Sequence, residues 1–271
     1  KGEPFDYDLL RRGLTRINEQ PDRNARTVLM PGKEPGSTDV VLEVEDNLPI
    51  HVGFEWDNFG SRYIGEDRYL ARFTHNNLLG RDDKLTLQYQ KADSDHYFLR
   101  NATYMFPVGL EWEVGFYAAA SRVKLGEELR NSNARGNSRF YSVFANRPLI
   151  NKDNFDLGLN LGFDYKNITN FQDEVVSSRN KLRVAKIGLD MYSVDEYGRS
   201  LVTGEFDVGI PNIMGGLKSE DALASRAGAG GKFLKYNLNF LRLHKMPFSS
   251  TLLWKNQVML SPYALTSAEQ F

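Results

Sequence analysis

The chain has 271 residues, with 34 basic and 35 acidic side chains, four histidines and no cysteine. Balanced charge argues against a nucleic-acid binder, an apolar fraction of 41% argues against disorder, and the missing cysteines remove disulfide, thiolate and zinc–sulfur chemistry. Apolar runs such as Phe116 to Ala120 fall far short of the roughly 18–20 residues a membrane-crossing helix needs.

The chain starts at Lys1 with no apolar leader, so the expectation is a processed protein or an excised fragment. Residues 6–18 place Tyr7, Leu10, Leu14 and Ile17 on one helical face, and Pro21 closes that helix. Thr27 to Met30 reads as a short strand, Pro31-Gly32 and Pro35-Gly36 as turns, and Thr38 to Glu45 as a second strand. An αββ piece of this size buries little by itself, which points to a domain whose first half lies upstream.

From Pro49 only strands are predicted. Val52, Phe54 and Trp56 alternate with His51, Gly53, Glu55 and Asp57; the same dyad recurs at Tyr69–Phe73, Leu85–Tyr89, Ala102–Phe106, Leu110–Ala120 and Phe140–Phe144. It continues at Phe155–Tyr165, Ala185–Met191, Val202–Ile210, Leu234–Phe240 and Leu252–Leu260, eleven strands in all, each expected to span about nine to twelve residues. Short connections (Asn77–Asp82, Pro107–Gly109, Pro148–Asn154, Glu196–Gly198, Lys245–Pro247) alternate with long polar ones (Phe59–Glu66, Glu127–Asn137, Ile168–Arg179, Asn212–Gly231). Tight turns at one end and long loops at the other describe an up-and-down antiparallel meander, the pattern of membrane barrels.

A soluble β-sandwich shares the alternation. Three features favour the barrel. The strands are longer than the globular norm and match a tilted bilayer crossing. Polar positions carry Gly, Asn and charge, while apolar stretches end in Trp56, Tyr89, Phe106, Trp112 and Tyr165, as an interfacial girdle does. An open sheet of this width would also leave edges that closure removes.

Catalytic and metal chemistry find no support. His51, His75, His96 and His244 are scattered without a second ligand at i+4. Gly228-Ala-Gly-Gly-Lys232 lacks phosphate-loop spacing and precedes a strand, and no Gly-x-Ser-x-Gly elbow occurs. The Asn101-Ala-Thr103 and Asn167-Ile-Thr169 triplets read as chance. The sequence therefore predicts no enzyme, no cofactor and no metal.

Ile17-Asn-Glu-Gln-Pro-Asp-Arg23, Leu29-Met-Pro-Gly32, Pro35-Gly36-Ser-Thr-Asp39 and Leu42-Glu-Val44 resemble the second POTRA domain of two-partner secretion transporters, the ShlB-like outer-membrane family. Asp57-Asn-Phe-Gly-Ser61, Gly65, Asn76-Asn-Leu-Leu-Gly-Arg-Asp-Asp83, Tyr104-Met-Phe-Pro-Val-Gly109 and Leu265-Thr-Ser-Ala-Glu-Gln-Phe271 follow in the family's kind and order. The resemblance implies a mainly β fold: residues 1–48 as the C-terminal part of a periplasmic POTRA domain, 49–262 as the first eleven strands of a transmembrane barrel of about sixteen, and 263–271 as the start of a long loop. An arginine-tipped gating loop and the remaining strands would lie beyond Phe271.

By the same resemblance the protein would sit in the bacterial outer membrane as a monomeric barrel and carry a secreted exoprotein, in extended form, to the cell surface without ATP. Its partners would be that exoprotein and outer-membrane lipid, with no nucleic acid. Thr27, Val28, Leu29 and Met30 would offer a sheet edge for the substrate. Glu55, Asp57, Arg72, Lys84, Gln88, Glu111, Glu113, Asn160, Asp164, Glu205 and Asp207 would line a hydrated lumen. That these residues only solvate the inner face and fix a closed resting state stays open. So do two rival functions: a BamA-like assembly factor, and a soluble β-rich binding protein.

Overall fold

A computed structural model describes residues 6–18, 20–109 and 111–270. Helix α1 (Tyr7–Asn18) starts where the Asp6 carboxylate accepts the Leu9 N–H at 3.0 Å, an N-cap that satisfies a helix-end donor. It packs on β1 (Arg23–Pro31), with Leu10, Leu14 and Ile17 half-buried. The β1 strand pairs antiparallel with β2 (Thr38–Asp46) from Arg23↔Asp46 to Pro31↔Thr38, forming a separate two-stranded sheet.

Everything after it is one eleven-stranded antiparallel sheet whose spatial order is its chain order. Its strands are β3 (Ile50–Asp57), β4 (Arg68–Asn76), β5 (Lys84–Ala92), β6 (Tyr97–Val108), β7 (Trp112–Lys124), β8 (Arg135–Lys152), β9 (Phe155–Gln172), β10 (Val175–Asp195), β11 (Gly198–Gly209), β12 (Phe233–Met246) and β13 (Ser250–Leu260). Among the described residues the outer edges of β3 and β13 have no strand partner, so the sheet is open. No described helix is long and apolar enough to cross a membrane, which leaves crossing by strands untouched.

The strand count agrees with the alternation, but two connections do not. Ile168–Arg179 is not a loop: β9 runs to Gln172 and β10 starts at Val175, joined by Asp173 and Glu174, both in the left-handed region (φ 46° and 68°). Polar side chains there hid two continuing strands, because past the apolar band both faces are polar and the dyad vanishes. Pro148–Asn154 is likewise mostly strand: β8 continues to Lys152 through a register shift at Pro148/Ile150, where proline cannot donate to the ladder. Strand lengths therefore spread from 8 to 21 residues, beyond the expected range at both ends. Leu110, expected to open a strand, lies outside the described residues.

The two faces are opposite in character. The outward face carries Val52, Phe54, Trp56, Phe116, Val143, Ile187, Leu189, Phe206, Trp254 and Val258, with Phe54 80% exposed and Trp56 64%. All five girdle aromatics named above fall on this face. By contrast only eight described apolar residues are fully buried, five of them in one small cluster of Leu182, Val184, Leu217, Phe233 and Leu265. A sheet with so much contiguous exposed apolar surface and so little apolar core presents an interaction face for lipid or for a partner.

The N-terminal unit is docked to the turn end of the sheet. Asp22 accepts from His51 and Asn76 at 2.7 Å each, Arg23 reaches Asp82 at 2.8 Å, and Gln20 donates to the Asp82 carbonyl at 2.7 Å. The receiving turn is the Asn76–Asp83 motif. Asn77 (φ 89°) accepts the Asp82 N–H at 3.0 Å, Gly80 takes φ 72°, and buried Asp83 accepts the Leu79 N–H at 2.9 Å. The motif's residues are thus explained as a self-capped turn that presents Asp82 to the preceding unit.

Candidate functional site: the inward polar face

Because strand side chains alternate, the register that sends the apolar set outward sends the polar set inward. Cross-strand pairing aligns Asn160 with Gly188, Gly188 with Glu205 and Glu205 with Asn237; the next inward row holds Gly162, Lys186, Asp207 and Lys235, and the row after it Asp164, Val184 and Gly209. Gly115 faces Phe144, whose ring occupies the space a side chain there would fill.

Between β8 and β12 the inward charges form one connected network. Lys186 Nζ lies 3.0 Å from Glu205 and 3.9 Å from Asp164; Lys166 Nζ lies 3.5 Å from Asp164; Lys235 Nζ lies 2.9 Å from Asp207. Ser142 donates to Asp164 at 2.7 Å and Asn237 to Asp207 at 3.1 Å. The centre of the network is Glu269, from the segment after β13. Its two carboxylate oxygens take Lys166 at 2.8 Å and Lys235 at 2.7 Å, and its side chain is 1% exposed. Leu265 of the same segment joins the apolar cluster with Leu217 of the 210–232 loop. The segment after β13 is therefore folded back over the inward face and held there by both ions and packing.

Asp164, Glu205 and Asp207 are brought together here; the other lumen candidates are not. Glu55 and Arg72 face each other at 3.6 Å across β3 and β4, Asp57 binds Arg68 at 2.8 Å, and Asn160 donates to Asp190. Lys84 and Glu113 stand inward near the turn end, at the starts of β5 and β7, and Gln88 lies opposite Arg72 and Asn101. Glu111 departs from the expectation. It lies in the turn before β7 and pairs with Arg147, whose guanidinium stands 5.5 Å from the Trp112 ring centre on the outward side. The dyad assigns face only within a strand, and Glu111 falls just outside one. Lys166, Lys186 and Lys235 were legible as inward positions by the same alternation that gave Asp164. Glu269 carried no local signal, since its partners lie 103 and 34 residues away.

The expected substrate edge, Thr27–Met30, lies within β1. Asn18 donates to the Ala25 carbonyl at 2.9 Å and accepts the Ala25 N–H at 2.6 Å, so Ala25 points its backbone away from β2. Alternation of the antiparallel ladder then turns Thr27 and Leu29 the same way, while Val28 and Met30 bond to β2. Among the described residues the N–H groups of Thr27 and Leu29 have no acceptor. Outside the spanning strands, hydrogen bonds from Asn76 and then His51 hold the Asp22 carboxyl below its ordinary value. No group of three or more His, Asp or Glu side chains capable of holding a metal occurs among the described residues.

This meander, apolar outside and charged inside, is of the outer-membrane β-barrel class, present here as an open sheet. The whole chain superposes on 51% of CdiB from Escherichia coli with a TM-score of 0.84 at 19% identity, and 97% of it on 51% of a BamA from Haemophilus ducreyi lacking POTRA domains 1–3, with a TM-score of 0.60 at 12% identity. The chain belongs to the family described as haemolysin secretion/activation protein ShlB/FhaC/HecB, whose profile matches residues 36–271. It is 27% identical over 187 residues to the heme/hemopexin transporter protein HuxB of Haemophilus influenzae (strain 86-028NP), covering 68% of this chain and 33% of HuxB. It is 26% identical over 128 residues to the outer membrane transporter CdiB of Dickeya dadantii (strain 3937), covering 46% of this chain and 23% of CdiB. The chain thus spans about a third of the length of HuxB.

Proposed function

We propose that the full-length protein bearing this chain carries a partner exoprotein, in extended form, across the bacterial outer membrane to the cell surface. The observation that carries this reading is the continuous inward lane of mixed charge, set in a fold shared with transporters of the same family. Mixed, mutually paired charge offers an extended polar chain many weak contacts and no strong trap. Residues 1–48 act as the C-terminal part of a periplasmic POTRA domain, and the Thr27 and Leu29 edge receives a strand of the cargo through backbone hydrogen bonds. The 261–270 segment covers the lane at rest and moves aside when cargo passes. The barrel works as a monomer in lipid. The test is to delete the full-length gene and assay the culture fluid for its partner exoprotein. Secretion should stop and return on complementation; undiminished secretion contradicts the proposal.

A further inference from the structure

The outward face changes character sharply at the loop end. Following the outward positions along each strand, Leu85, Leu87 and Tyr89 of β5 lead to Lys91; Tyr104 and Ala102 of β6 lead to Arg100; Phe116, Ala118 and Ala120 of β7 lead to Arg122; Val143 and Tyr141 of β8 lead to Arg139. On β9 the corresponding residue is Asn167, and on β10 Arg183 is followed by Lys181. Arg183 is withdrawn. Its guanidinium lies 3.4 Å from the Tyr165 ring centre and donates to the carbonyls of Met214 at 2.9 Å and Leu182 at 2.7 Å, so the 210–232 loop covers it.

Seven outward cations remain unpaired: Lys91, Arg100, Arg122, Lys124, Arg139, Arg179 and Lys181. Among the described residues none of the seven is in an ion pair; an eighth outward cation at this end, Arg135 of β8, is paired at 3.1 Å with Glu174 of the turn between β9 and β10. The opposite rim is a built-in contrast. There the outward cations Arg147 and Arg242 are neutralised by Glu111 and by Asp195, the latter at 2.9 Å, which leaves Lys152, opposite Phe155, as the one unpaired outward cation of β8 at that end among the described residues. In a chain with 34 basic and 35 acidic residues, seven unpaired cations on the outward strand positions of one rim form a local positive field. Neighbouring strands lie about 4.8 Å apart, so cations on adjacent or next-nearest strands are spaced to share a phosphate-bearing group. The row borders Tyr89, Tyr141 and Tyr165, where an apolar face in lipid passes into headgroups.

We propose that this rim binds phosphate groups of membrane lipid headgroups at the loop end of the barrel. The inference rests on the reading that the outward face meets lipid. Charge complementarity and continuity with that face select a lipid as the occupant.

The test uses the full-length protein purified in detergent and native mass spectrometry with diphosphoryl lipid A or the same lipid stripped of phosphate. The unmutated protein should retain the diphosphoryl form and release the stripped form. The variant K91Q/R100Q/R139Q/K181Q, checked for heat-modifiable migration, should bind the diphosphoryl form about a thousandfold more weakly. Equal retention of both lipids, unchanged affinity in the folded variant, or saturation of the site by inorganic phosphate alone would overturn the inference. Should the variant not fold, the two-lipid comparison on the unmutated protein decides. Membrane fractionation separates the two failures: a protein absent from the membrane fraction sinks the lipid-facing reading itself, whereas an embedded barrel indifferent to phosphate sinks only this inference.

Discussion

Glu269 joins a segment with no strand partner to two lysines on the sheet, and its burial makes the exchange of that carboxylate costly. Removing one member of a buried ion pair typically costs about 3–5 kcal/mol, because the other charge stays desolvated. In Glu269→Gln, Lys235 keeps Asp207 and Lys166 keeps Asp164, so the loss should be confined to the closure of residues 261–270. Protease nicking within that segment should rise by about a hundredfold in the full-length protein, with the barrel otherwise intact; an unchanged rate means the segment is held by packing alone. Asp22 supplies a pH signature at the other end of the molecule. Its folded-state pKa lies below the ordinary 3.8, so its stabilising effect is present above that value and is lost as pH falls through the lowered one. Docking of the N-terminal unit, followed by limited proteolysis between residues 46 and 50, should weaken below about pH 4. Asp22→Asn should weaken it already at pH 6 and flatten the dependence; a profile identical to the parent's would remove Asp22 from the junction.

At the scale of elements, β1 combines an occupied edge with a free one, and the parity of its residues makes the two separable. Leu29→Pro removes an N–H that bonds nothing among the described residues, whereas Val28→Pro removes a rung of the β1–β2 ladder. Leu29→Pro should leave folding intact and reduce capture of the partner exoprotein several-fold in a pull-down, while Val28→Pro should destabilise the unit by about 1–3 kcal/mol. Equal binding by Leu29→Pro and the parent would exclude this edge as the docking strand. The elements also mark where sequence reasoning reached and where it stopped. The run Phe155–Tyr165 declared its faces because it lies inside the apolar band, where one face is greasy and the other wet. From Ile168 to Gln172 and from Val175 to Arg179 the same strands leave the band, both faces turn polar, and the period that identified them disappears. Inward Asp164, Glu205 and Asp207 were legible from alternation. Their organisation around Glu269 was not, because it depends on a return of the chain across the sheet that leaves no periodic trace.

At the scale of the molecule, the arrangement is an inside-out protein: a small apolar cluster, an inward network of three ammonium and four carboxylate groups, and an apolar exterior. Everything proposed for cargo passage and lipid binding follows from which face meets water. Since the chain contains no cysteine, single substitutions along β9, with any cysteine elsewhere in the full-length protein replaced by serine, can report that directly in native membranes. The measurement is labelling by a membrane-impermeant maleimide of the full-length protein carrying cysteine, one at a time, at residues 156 to 163. Cysteines replacing Asp156, Gly158, Asn160 and Gly162 should react and those replacing Leu157, Leu159, Leu161 and Phe163 should not. Reaction at the second set, or equal reaction at both, would contradict a water-lined lumen enclosed by a lipid-facing sheet.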